Sequence, residues 1–323
     1  MKRRRILTLG IAASAGLGLL GWNTARAQQS YPARPVRLVV PYPAGGGTDI
    51  VARKFAERLS SLMGQQVIID NKPGAEAAIG AAEVAHAAPD GYTILFGTLS
   101  THVITPGLME KPGYDPVRDF AQIAIFGSQA MALVVNNEVP VKNLRELVAY
   151  IKASPGKYSY ASSSSISRLT VSMLAKQVGG LNIVEIPYKG AVPIITDLLA
   201  NLTQLYPSTM ASVTSLQKSG RLRIFAVCTP QRVKSYPDIP TAIESGIPDM
   251  LLSTFNVVSV PARTPQAIVD QLARHATAMM RDEALAKDLE ALGVEPHIEG
   301  DPAKVNAYVE EYRQRLKPLL KGV

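Results

Sequence analysis

Short apolar runs alternate with amphipathic stretches along almost the whole chain after its first thirty residues. The run 36–40 is nearly continuously apolar, as a strand covered on both faces requires. After Gly45-Gly46-Gly47, apolar residues recur at Val51, Phe55, Leu59 and Leu62, one face of a helix. Further strands are predicted at 67–69 and 93–96, with a helix over 75–87 closed by Pro89-Asp90-Gly91. This βαβαβ order predicts right-handed crossovers and a doubly wound lobe.

A second series begins with a strand at 131–135. Asn143 then caps a helix, with Glu146 three residues on in a capping-box-like pairing, and Leu144, Leu147, Val148 and Ile151 form its apolar stripe. Strands are predicted again at 158–161, 183–186, 204–206, 222–227 and 256–260. Two long amphipathic helices follow, 265–292 broken once and 302–320. Two series without a disordered linker predict an α/β fold with two lobes, each a mostly parallel doubly wound sheet, and strands crossing between them. The expected division is 28–127 plus 253–323 in lobe 1 and 128–252 in lobe 2. Hinges are expected near Gly127-Ser128 and Leu252-Ser253, and the default ligand site is the cleft between lobes.

The N-terminus changes where such a protein works. Lys2-Arg3-Arg4-Arg5 is a basic start, 6–21 is apolar, and Ala25-Arg26-Ala27 fits a small-x-small cleavage rule. Residues 1–27 therefore read as a signal peptide and predict a periplasmic, exported protein; the general secretory and twin-arginine routes both stay open. The apolar stretch is too short and too rich in Gly and Ala to read as a membrane anchor. Of the formal net charge of +8, five basic residues and no acid lie in this segment, so about +3 remains on the mature chain. That scattered excess gives no reason to expect nucleic acid. Cys228 is the single cysteine, which excludes an internal disulfide, and its setting reads as a buried strand.

Candidate chemistry lies in loops that follow strands, where ligands of open α/β sheets bind. Pro41-Tyr42-Pro43-Ala44-Gly45-Gly46-Gly47-Thr48-Asp49 lets the backbone approach a ligand and opens a helix whose N–H groups favour an anion. It lacks the G-x-G-x-x-G spacing of a dinucleotide site. Thr98, Ser100, Thr101 and His102 place three hydroxyls and an imidazole after the next strand. Ser162 and Ser163 open a serine-rich loop in the second lobe, and Lys189 lies in Pro187-Tyr188-Lys189-Gly190. Each loop alone reads equally well as a turn, a helix cap or a solvated surface. Four of them divided between two lobes read as a cleft.

Taken together these stretches resemble a known family, the periplasmic solute-binding components of tripartite tricarboxylate transporters, or Bug proteins. The resemblance rests on Tyr31-Pro32 and Val36 through Thr48-Asp49, then Asn71-Lys72-Pro73-Gly74-Ala75, Asp90-Gly91-Tyr92-Thr93 and Tyr114-Asp115-Pro116. It continues through Pro187-Tyr188-Lys189-Gly190, Asp197-Leu198-Leu199 and Ile239-Pro240-Thr241. It implies a two-domain clamp that closes over a small organic carboxylate and hands it to transporter subunits in transient contact; an alternative reading keeps the binding fold but presents the ligand to a membrane sensor instead. The resemblance implies ligand contacts at Tyr42, Ala44, Gly45 and Gly46, at Thr98, Ser100, Thr101 and His102, and at Ser162, Ser163 and Lys189. Ser208 aligns where members commonly have an acid that pairs with a ligand amine, which argues against an amino acid here. Glu76 replaces a usual glycine, and Ala200-Asn201 replaces a Gly-Gly pair.

A monomer with no cofactor and no metal is expected. The rival reading is an exported hydrolase or lyase. It finds no G-x-S-x-G elbow and no H-E-x-x-H, and the four histidines (His86, His102, His275, His297) are scattered.

Overall fold

A computed structural model describes residues 31–279 and 281–321, so the signal-peptide reading of 1–27 lies outside the described residues. Strand β1 (Val36–Val40) pairs in parallel with β2 (Val67–Asn71) and with β3 (Thr93–Thr98). Helix α1 (Gly47–Met63) joins the first two and ends at Gly64, whose φ of 65° closes the helix in the left-handed region. The segment predicted as one helix over 75–87 is instead a tight turn at Ala75–Ala77 followed by α2 (Ala78–Ala85). A π-helical turn (Ser100–Ile104) and α3 (Thr105–Leu108) follow β3.

The molecule is organised by β4 (Phe120–Asn136), a strand of 17 residues. At about 3.3 Å per residue it spans roughly 56 Å, long enough to traverse two lobes. Its first half pairs antiparallel with β9 (Ser253–Pro261) and β10 (Val294–Glu299). Its second half pairs antiparallel with β7 (Leu205–Thr209) and β8 (Leu222–Val227). The register slips between Ile125 and Ser128, where Gly127 has a φ of 78° and packs against Val294. Only a residue without a side chain holds that bulge free of strain. The second sheet is completed by β5 (Ser159–Ser162) and β6 (Val184–Pro187), with β5 parallel to both β6 and β7.

Helices α4 (Leu144–Lys152), α5 (Ser165–Gln177), α6 (Ala191–Leu199) and α7 (Met210–Lys218) belong to the second series. Helices α8 (Gln266–Met279), α9 (Glu283–Ala291) and α10 (Pro302–Leu316) return to the first. The capping pair predicted for α4 is present: the Glu146 N–H donates to Asn143 Oδ1 at 2.9 Å. Phe55, Phe96 and Phe126 form the centre of the first core, with ring centroids 5.0–6.1 Å apart. The second core gathers Leu133, Leu144, Leu169, Leu205 and Phe225, and it continues through Phe255 and Val257 to Tyr312 and Leu316 of α10. The result is the two-lobed α/β clamp, with β4 crossing between lobes and β9 beginning where the chain returns to the first.

Candidate functional site

A cavity of about 70 Å³ lies between the two sheets. At some 10–15 Å³ per water-sized position it has room for roughly five waters. Its wall is contributed by both lobes: Tyr42, Gly46, Gly47, Thr98 and Ser100 from one, and Ser163, Ser164, Tyr206, Ser208 and Thr209 from the other. Among the described residues, no Asp, Glu, Lys, Arg or His side chain lines it.

Four helices begin at this wall. The residues preceding α1, α5, α6 and α7 are Gly46, Ser164, Gly190 and Thr209, and each lines the cavity. In none of the four does a side chain cap the first turn. Asn143, Asp282 and Asp301, by contrast, cap α4, α9 and α10 with side-chain oxygens. The starts that converge on the cavity thus keep backbone N–H groups without a capping acceptor, at the positive end of each helix dipole. Such a wall is able to hold an anion without a buried counter-cation.

The hydroxyl side of the wall is built as a donor surface. The Tyr42 hydroxyl lies 2.7 Å from Thr98 Oγ1, and the Ser100 N–H donates to that same oxygen at 3.2 Å. Burial pushes the Tyr42 phenol up to about 12, against the opposing effect of the Thr98 and Ser100 hydroxyls. Burial likewise raises Tyr206, opposed by Ser208 and Ser163. Both phenols therefore keep their protons at neutral pH and can donate.

The first-strand loop is held by Asp49, whose side chain is 2% exposed. It accepts from the Gly45 N–H (2.9 Å), from Asn71 Nδ2 (3.0 Å) and from Arg53 Nε (2.9 Å). Burial works against its charge, but Arg53, Gly45 and Asn71 outweigh that and hold its carboxyl below the ordinary range.

Of the residues singled out in the sequence, Tyr42, Gly46, Thr98, Ser100, Ser163 and Ser208 line the cavity. The other six stand outside its wall. Ala44 and Lys189 are exposed, and the Gly45 N–H is already spent on Asp49. Ser162 Oγ donates to Glu185 Oε1 at 2.5 Å. Thr101 Oγ1 closes the turn by accepting from the Thr98 N–H at 2.8 Å. His102 is fully buried, with Nδ1 2.8 Å from Thr101 Oγ1 and Nε2 3.3 Å from Ser259 Oγ. Burial lowers its pKa to about 4, so it stays neutral at physiological pH. A histidine so enclosed and so weakly basic is placed to fasten the π-helical turn to β9, not to take a proton from a ligand. Cys228 is also buried, and burial pushes its thiol up to about 12. Among the described residues, no cluster of three or more His, Cys, Asp or Glu could hold a metal ion.

Sequence reasoning passed over Tyr206, Thr209, Ser212 and Thr254. Thr209 follows the same strand-to-helix pattern as the loops that were read. Tyr206 and Thr254 lie on strands near the crossing, where no local motif marks them.

Residues 51–323 match the sequence profile of the family described as the tripartite tricarboxylate transporter family receptor. BugT of Bordetella pertussis is 31% identical over 313 residues, covering 96% of this chain and 92% of BugT. Among solved structures, Rpa4515 of R. palustris with adipate has a TM-score of 0.87 at 31% identity, covering 90% of this chain and 97% of that one. MatC from Rhodopseudomonas palustris with bound malate has a TM-score of 0.84 at 26% identity, covering 90% and 100%. The fold and cleft define a solute-binding protein of the periplasmic type. The chain belongs to the tripartite tricarboxylate transporter receptor family.

Proposed function

We propose that this protein is exported to the periplasm and captures a small organic carboxylate between its lobes for a tripartite tricarboxylate-type transporter. The reading rests above all on four uncapped helix starts meeting at a neutral, hydroxyl-lined cavity shared by both lobes. Relatives of the same fold hold adipate and malate, which supports an aliphatic acid as the class of ligand. Lobe 1 comprises 28–127 plus 253–323 and lobe 2 comprises 128–252, the strands between them acting as the hinge. Gly46, Tyr42, Thr98 and Ser100 present the anion to lobe 1, and Ser163 and Ser208 meet it from lobe 2. Ligand bridging the lobes shifts an open ensemble to a closed one, which the membrane subunits recognise. The wall contains neither a general base nor a nucleophile–base pair, so the acid leaves unchanged.

The test is thermal unfolding of the mature protein, refolded once to strip carried ligand, against aliphatic di- and tricarboxylates, aromatic acids and amino acids. A ligand at 100 times its Kd adds about 2.7 kcal/mol of stability. A clear rise confined to carboxylates is the expected result. A rise only with neutral compounds, or none with any acid, contradicts the proposal.

A further inference from the structure

The cavity explains most of the polar residues between the lobes, but a charged pair at its rim is left over. Ala75, Glu76 and Ala77 have φ values of 45°, 55° and 73°, three successive left-handed residues that all carry side chains. Glycine holds such a turn without strain, so a glutamate in its middle works against the local backbone. The turn is nonetheless fixed, because Thr105 Oγ1 donates to the Glu76 carbonyl at 2.8 Å. It aims the Glu76 carboxylate at α5, where Arg168 Nη1 donates to Oε1 at 3.0 Å. Arg168 follows Ser167, which lines the cavity. Arg168 also lies 4.0 Å from Glu185, the residue that accepts from Ser162.

Glu76 is carried by the first lobe and Arg168 by the second. Among the ion pairs of the described residues, this one alone joins 28–127 or 253–323 to 128–252. The other close approaches between these segments carry no opposed charges: Val192 lies over Gly45, Pro43 over Gly190, the Thr209 and Ser212 hydroxyls near Gly47, and the Tyr236 hydroxyl donates to the Ala291 carbonyl. An opening of little more than about 1 Å takes the pair beyond the reach of an ion pair. We propose that Glu76 and Arg168 form a closure latch, an ion pair made only when the lobes meet, which holds part of the empty protein closed and slows release of a bound acid.

The latch rests on the clamp reading above. Its strength is modest for two reasons. The side chains are 28% and 33% exposed, so salt screens the pair in part. Glu76 Oε2 is also buried without a partner, so closing dehydrates that oxygen uncompensated. The expected effect on the closed-to-open ratio is about fivefold.

The experiment is a ligand-free distance measurement by pulsed electron paramagnetic resonance. Spin labels go on Ser61→Cys and Gln177→Cys, both exposed sites in different lobes, while the native Cys228 is buried and unreactive. Wild type is expected to show a closed population that shrinks between 20 and 500 mM NaCl. Glu76→Gln and Arg168→Gln should each cut the closed-to-open ratio about fivefold and weaken its salt dependence. The exchanged pair Glu76→Arg with Arg168→Glu, made with Glu185→Gln so that no second carboxylate faces the new one, should restore both. Glu76→Gly should open the clamp while raising the unfolding temperature, since it relieves the left-handed turn. A wholly open wild type, or distance distributions identical in wild type and single variants, overturns the latch. Because no ligand is present, that outcome is separate from failure of the carboxylate reading, which shows only in the binding panel.

Discussion

Replacing Gly47 with alanine separates closure from folding. Gly47 is the first residue of α1, and its backbone is one that alanine adopts freely. A β-carbon there would lie 2.7 Å from Ser212 Oγ, closer still to Thr209 Oγ1, and 3.4 Å from the Ser212 backbone nitrogen. All three atoms belong to the start of α7, across the cleft. The two hydroxyls would have to turn away, and the backbone nitrogen leaves them little room. Overpacking of this kind costs about 1–3 kcal/mol, so about 2 kcal/mol is expected here. The cost falls on the closed form alone, because opening carries α7 away from α1. Affinity should therefore drop about thirtyfold, with the thermal stability of the empty protein unchanged or slightly raised. Isothermal titration with the acid that stabilises wild type most, beside thermal unfolding of the empty variant, reads both quantities. Unchanged affinity would show that the lobes do not close as described. An equal loss of stability without ligand would make the contact part of the fold and not of closure.

Three further outcomes are expected. Gly46→Asp finds space, since its nearest neighbour beyond the adjoining residues is the Pro43 carbonyl at 3.5 Å, and aspartate suits the start of α1. A carboxylate about 4 Å from the bound one costs about 4 kcal/mol at an effective dielectric of 20, so binding should fall about a thousandfold while the empty protein melts no lower; retained affinity by titration would put the site elsewhere. Asp49→Ala strands the Gly45 N–H and the Asn71 amide and should cost about 3 kcal/mol in urea unfolding, with weaker binding because the loop carrying Gly46 loosens. The pH dependence follows from His102, whose pKa falls from 6.5 to about 4 on folding. The unfolded chain binds its proton first, so stability is full above about pH 6.5 and is lost as pH falls to 4, by about 3 kcal/mol. His275 is lowered too and adds to the same slope, whereas Asp49 contributes only below its ordinary 3.8. His102→Gln should flatten urea-derived stability across pH 4–6.5; an unaltered slope contradicts the assignment.

The strands bounded most closely from the sequence have apolar runs covered on both faces. Leu222–Val227 was bounded correctly from its pattern alone, and β1 likewise. The first half of β4 was missed because its periodicity is broken by the Gly127 bulge and the register slips around it. β10 was missed because Val-Glu-Pro-His-Ile-Glu is too polar, and holds a proline, to read as a strand; it gains its place by pairing at the edge of β4. The turn at Ala75–Ala77 has the composition of a helix, and no local signal marks its left-handed backbone, which Thr105 ties down through the Glu76 carbonyl.

The lining of the cavity was legible where chemistry and position coincide. Glycines and serines that open helices after strands mark Gly46 and Ser163 directly. Thr101 and His102 carry the right chemistry on the right loop, but the π-helical turn rotates them into the core, where Ser259 takes the imidazole. No local pattern distinguishes a hydroxyl that faces a cleft from one that closes its own turn. Ser162 illustrates the same limit, since its neighbour Ser163 lines the cavity while its own hydroxyl is spent on Glu185.

The central claim is that a carboxylate is held by helix N-termini from both lobes, and a crystal structure of the protein with its most stabilising acid tests it most directly. The account predicts carboxylate oxygens within about 3 Å of backbone N–H groups at the start of α1 and of at least one of α5, α6 and α7, with Tyr42 or Thr98 alongside. A ligand held instead by Lys189 or by another cation, or seated away from these helix starts, would contradict it.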